Sequence, residues 1–186
     1  MNVRHSRKVR ELANSQKIRQ FIDELGRACT GPGCVYLVGG TTAVLNGWRD
    51  TTVDVDLKLD PEPEGVFQAI ALLKDRLDIN VELASPDAFV PPIPNWRDRS
   101  PFIVRVGQVD FRHYDLYTQA FAKIERGHQR DIADVQAMIE KGFIDIRLLE
   151  QYIRAILPKL ERYPHLDEAS LREKLETFLD STKGTE

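Results

Sequence analysis

The chain has 186 residues, with 26 Lys and Arg against 29 Asp and Glu, a net charge of −3. Apolar residues make up 42% and charged residues 30%, the balance of a single globular unit rather than of a disordered or membrane-embedded chain. Cys29 and Cys34 are too few for a disulfide framework or a four-ligand zinc site, and the basic start lacks an apolar signal core, so the expectation is a cytoplasmic protein with reduced thiols.

Arg4, Arg7, Lys8 and Arg10 form a basic arm without a single acid, which reads as a solvated helix start before it reads as an RNA contact. From Ser15, the residues Ile18, Phe21, Ile22 and Leu25 fall at helical spacing, with Asn14 or Ser15 as N-cap. After Gly31-Pro32-Gly33, the apolar run Cys34 to Val38 reads as a buried strand that stops at Gly39-Gly40, and Thr41 to Leu45 suits a helix starting there. The glycines also interrupt the longest uncharged stretch, so no segment reads as membrane-spanning.

Val53 to Leu59 alternates strictly, placing Asp54, Asp56 and Lys58 on one face and Val53, Val55, Leu57 and Leu59 on the other. Residues 63–77 read as a helix packed through Val66, Phe67, Ile70, Leu73 and Leu77, and Ile79 to Leu83 as the next strand. Five prolines between Ser85 and Pro101 predict an extended surface loop able to border a site. Phe102 to Arg112 suits one or two strands around Gly107, Leu116 to Lys141 is helical in pattern, and two further helices follow over 146–157 and 169–179. The organisation expected is an N-terminal helical segment (1–30), an α/β (α+β) core with a small mixed sheet (31–115), and a C-terminal helical region (116–186) packed on it.

Two carboxylates at i and i+2 of a strand stand roughly 6–7 Å apart, close enough to share one hard cation. Mg²⁺ accepts two acids and completes its shell with water and phosphate oxygens. A strand ending in Gly-Gly before a helix exposes backbone N–H groups where a triphosphate can approach. Either feature alone is ordinary. Here they sit on consecutive strands, with Arg49, Thr51 and Thr52 between.

The combination Val38-Gly39-Gly40-Thr41-Thr42, Arg49, Thr51-Thr52 and Val53-Asp54-Val55-Asp56-Leu57 resembles the nucleotidyltransferase superfamily of the DNA polymerase beta type. That resemblance implies the nucleotidyltransferase fold, a Mg²⁺ or Mn²⁺ cofactor, and nucleotide contacts at Gly39, Gly40, Thr41, Arg49 and Thr51. It also implies a third acid from a later strand, with Glu82 the first candidate and Asp110 the alternative. Lys123 and the run Arg130-Asp131-Ile132-Ala133-Asp134 are similar to AbiEii-type abortive-infection toxins, implying that Lys123 reaches a phosphate and Asp131 orients it. The function so implied moves a nucleoside monophosphate from a triphosphate to a hydroxyl of tRNA or other RNA, of a toxin or antitoxin partner protein, or of a small molecule. A catalytically inactive nucleotide- or protein-binding module of the same fold is the alternative. His113 and His128 lack ligand partners at zinc spacing, and Trp48 and Trp96 are candidates for stacking on a base, with burial the plainer role.

Overall fold

The structure, a computed structural model, describes residues 10–183. Arg4, Arg7 and Lys8 of the basic arm lie outside the described residues. Arg10 donates to the Ile79 carbonyl at 2.7 Å and pairs with Asp75, so it ties the chain start to the body.

A five-stranded mixed sheet runs in the order β5-β4-β2-β7-β6, with β2 Gly33–Val38, β4 Asp54–Leu59, β5 Asn80–Leu83, β6 Phe102–Val106 and β7 Val109–His113. Strands β2 and β4 are antiparallel, whereas β2/β7 and β4/β5 are parallel. A two-stranded ladder that the sequence pattern did not announce joins β1 Ala13–Asn14 to β3 Thr51–Thr52. Two residues each is too short for an alternation signal.

One face of the sheet carries Val35, Leu37, Val55, Leu57 and Phe111 into a core shared with two helices, α1 Ser15–Ala28 and α3 Val66–Arg76. Helix α1 begins as its spacing predicts, and the Asn14 side chain accepts the Lys17 N–H at 2.9 Å. Because Ile18, Phe21 and Leu25 are fully buried in this core, the first segment is part of the sheet's own hydrophobic unit. Two apolar residues depart from the expected faces. Val53 precedes β4 and is 56% exposed, and Phe67 on α3 is 47% exposed. Helix α3 starts only after Gly65 turns the chain at φ +80, and that rotation leaves Val66, Ala69, Ile70 and Leu73 as the inward set.

The opposite face holds Cys34, Tyr36 and Val38 against Trp96 and Tyr114. Both cysteines are free and buried. The Pro-rich segment is a strap with a 3-10 turn at Pro86–Ala88 and a short helix, α4 Trp96–Arg99. It is not merely laid on the surface, for Val90 and Ile93 enter a second core.

That second core is helical, formed by α5 Leu116–Arg126, α6 Gln129–Glu140, α7 Ile146–Ile156, a 3-10 segment Leu157–Arg162 and α8 Glu168–Lys183. The expected continuous helix from Leu116 to Lys141 is two helices. Gly127 takes φ +68 as the C-cap of α5 and reverses the chain, bringing α6 back along α5. Among the described residues no helix is long and apolar enough to cross a membrane.

Candidate active site

The register of three strands builds the acidic floor. Val38 at the end of β2 lies opposite Asp56, and on the other side of β4 Asp54 pairs with Asn80 and Asp56 with Glu82. Since Val55 and Leu57 point into the core, Asp54 and Asp56 share the other face, with Glu82 laterally beside Asp56. The Asn80 amide donates to Asp54 Oδ1 and, at 3.3 Å, to Glu82 Oε1, so it sits between those two acids. Burial, and then the charges of Asp54 and Glu82, push the Asp56 carboxyl up to about 7, partly opposed by Arg126 and Lys123.

Asp110 is not brought to this group. It pairs with Cys34 at the start of β2, four residues and about 13 Å along the strand from Val38. There Arg105 forks its carboxylate and holds it below the usual carboxylate range. Glu82 is therefore the later-strand acid beside the pair.

The glycine turn is shaped by close approach. Gly39 has φ +58, and a Cβ there would lie 2.9 Å from Asp56 Oδ2. A Cβ on Gly40 would lie 2.2 Å from Thr52 Oγ1, so a larger residue would displace Thr52 of β3, which leads into the acid strand. The Gly39 N–H, expected to stand open, donates to Gln119 Oε1 at 2.8 Å, while Gln119 Nε2 donates to the Tyr114 carbonyl at 2.8 Å. Gln119 is a site residue that the sequence did not announce, since one Gln in an amphipathic helix carries no motif.

Thr41 and Thr51 are placed differently from the nucleotide-contact role that the resemblance implied. Thr41 is fully buried and accepts the Asp56 N–H at 3.0 Å, so it braces β4. Thr51 pairs with Asn14 and lines a neighbouring groove of about 340 Å³ with Trp48, Arg49 and Arg130. It is Thr52 that lines the main cleft.

Because α6 folds back on α5, Lys123 and Arg126 meet Asp131 and Asp134 across the turn. Lys123 Nζ lies 3.2 Å from Asp131 and 2.6 Å from Asp134, Arg49 forks Asp134, and Arg126 forks Asp131 at 3.1 and 2.8 Å. Three cations thus share two carboxylates. Lys123 is 3% exposed and gives two of its three protons to these acids, so its first role is to brace the wall. Arg126, His128 and Arg130 are exposed at the rim.

A cleft of about 540 Å³ lies between floor and wall. Its lining includes Gly39, Gly40, Arg49, Asp54 and Asp56 on the sheet side, Lys123, Arg126 and Asp131 on the helical side, and Pro86 and Phe89 of the strap. Neither tryptophan lines it. Trp96 stacks on Tyr114 at 4.6 Å and meets Tyr36 edge-on, and Trp48 packs against Phe143. Behind the turn, His113 is buried and its imidazole is pushed down to about 4. Thr42 Oγ1 donates to the Leu37 carbonyl at 2.9 Å, so the 3.2 Å contact requires His113 Nδ1–H to donate to Thr42. Nε2 then accepts from Asn46, and the ring is a neutral packing element rather than a ligand.

Among the described residues no three His, Cys, Asp or Glu side chains stand close enough together to hold one ion by themselves. The donor set nevertheless suits a hard dication. Asp54 and Asp56 offer oxygen only, and the burial and neighbouring acid charges that lift Asp56 are what a divalent ion offsets.

No curated protein and no solved structure matches this chain. One family model, described as "Nucleotidyltransferase of unknown function (DUF6036)", matches residues 14–176, from the N-cap of α1 into α8. The match takes in the glycine turn, the acid strand and the helical wall, and the chain belongs to this nucleotidyltransferase family.

Proposed function

We propose that the protein is a metal-dependent nucleotidyltransferase that moves a nucleoside monophosphate from a nucleoside triphosphate to a hydroxyl of RNA, protein or a small molecule. The observation that carries this is the common cleft in which Asp54 and Asp56 face the glycine turn at one side and Arg126 at another. An acceptor oxygen attacks the alpha phosphorus, the bond to the beta phosphate's bridging oxygen breaks, pyrophosphate leaves, and the hydroxyl proton passes to solvent or a carboxylate. Asp54 and Asp56, with Glu82 beside them, would hold Mg²⁺ or Mn²⁺, which when bound neutralises phosphate charge and acidifies the attacking hydroxyl. Gly39 keeps the floor low enough for phosphates to approach Asp56. Arg126 and Arg130 present positive charge at the rim, and Asp131 and Asp134 hold Lys123 and Arg49 in place behind them.

The similarity of Lys123, Arg130-Asp131 and Asp134 to AbiEii-type toxins favours an RNA or protein acceptor in a toxin–antitoxin or phage-defence setting. One observation favours the second reading, a nucleotide-binding module without transfer: the Asn80 amide stands between Asp54 and Glu82. Incubation with each alpha-labelled triphosphate, Mg²⁺ and total cell extract separates the two. The parent protein should label RNA or protein, and Asp54→Ala with Asp56→Ala should lose at least about 100-fold of that rate. Transfer at the parental rate by the double variant would remove the mechanism, and triphosphate binding without any transfer would favour the module.

A further inference from the structure

Phe89 is the only Phe, Tyr or Trp among the described residues that line the cleft. Its side chain is left open, the residue being 45% exposed, while the adjoining Val90 is fully buried in the helical core. The backbone that presents it is fixed at both ends. The Phe89 N–H donates to the Pro86 carbonyl at 2.9 Å, and its carbonyl accepts from His165 Nε2 at 2.9 Å. Two residues earlier, Asp87 takes Lys58 of β4 at 2.8 Å, and beyond Phe89 the Ile93 N–H reaches Thr118 Oγ1 on α5 at 3.3 Å. The ring thus stands open on a strap whose backbone is braced.

The cleft has a second end of opposite character. The strap is fastened to α5 at Thr118, whereas Arg126 leaves the last turn of that helix, about 12 Å further along its axis, and Arg130 leaves the first turn of α6. Arg130 has no acid within ion-pair distance among the described residues. A flat apolar group suits Phe89 with Pro86 beside it, and a polyanion suits the arginines. A nucleoside triphosphate carries both on one molecule.

We infer that Phe89 is the stacking platform for the nucleobase of the triphosphate, whose phosphates extend toward Arg126 and Arg130. This rests on the function proposed above and adds to it the residue that recognises the base. A bare ring face offers no hydrogen-bond code, so all four bases are accepted, with purines favoured by their larger stacking area.

Calorimetric titration in Mg²⁺ with ATP and, separately, with inorganic tripolyphosphate tests it on the parent, Phe89→Ala and Phe89→Trp. Phe89→Ala should weaken ATP roughly 5- to 100-fold while leaving tripolyphosphate within about twofold, and Phe89→Trp should keep ATP near the parental affinity. Unchanged ATP binding by Phe89→Ala, or an equal loss of both ligands, would overturn the platform while leaving the transferase reading intact. A parent protein that binds neither ligand would overturn both.

Discussion

Asp56 is the side chain whose state says most about the site. Its carboxyl is raised from 3.8 to about 7 in the folded protein, so without metal the folded form binds a proton that the unfolded chain releases. The stability this group contributes is complete below the unfolded value and is lost as pH rises through about 7. In chelator, Asp56→Asn should therefore melt above the parent at pH 8 and close to it near pH 4. A dication held by Asp56 would displace the same proton, so on the proposed function Mn²⁺ affinity measured by titration should be steady above pH 7 and fall about tenfold per unit below it. A Mn²⁺ affinity indifferent to pH between 5 and 8 would remove Asp56 from the ligand set. At this scale the sequence was most informative where the contact is local. Two acids at i and i+2 and a Gly-Gly at a strand end are visible within a few residues. Gln119 and Asn80 act across 80 and 26 positions, and no spacing rule reaches that far.

Gly127 decides how the elements meet. Periodicity alone carried the helical pattern through it, because apolar residues recur at suitable spacing on both sides, and an isolated glycine lowers helix propensity without forbidding a helix. Its left-handed φ of +68 separates α5 from α6 and brings Lys123 and Arg126 against Asp131 and Asp134. Beyond the conformation, a side chain at 127 meets nothing closer than 3.8 Å. Gly127→Ala should then cost about 1 kcal/mol, a drop of roughly 2–4 °C in Tm, and Gly127→Asn about half of that. Equal melting temperatures for Gly127→Ala and the parent would show that the turn does not need its glycine. The third acid followed the same logic: alternation allowed both Glu82 and Asp110, the resemblance put Glu82 first, and in the sheet β5 borders the acid strand whereas β7 does not.

For the whole molecule, the sheet and the helical region have separate apolar cores, and the Arg49, Lys123 and Asp134 group is a polar seam between them. Asp134 is 3% exposed and holds a cation from each side. Asp134→Ala leaves Arg49 without its carboxylate and Lys123 with Asp131 alone, and should destabilise the protein by about 3–5 kcal/mol, read by urea unfolding. A loss below about 1 kcal/mol would mean that water or Asp131 replaces the lost carboxylate. The layered outline, with strands and helices in the order expected, was legible because each layer's apolar period is local. The seam was not, because its members come from three distant stretches whose charges look like solvated surface when read singly.

The antiparallel register that sets Val38 opposite Asp56 also constrains how this family can vary. Side chains alternate along a strand, so inserting or deleting one residue between Asp54 and Asp56 would turn one acid toward the apolar core. Insertions and deletions among related chains belong instead in stretches such as Gly142 to Asp145, where no partner strand measures the backbone.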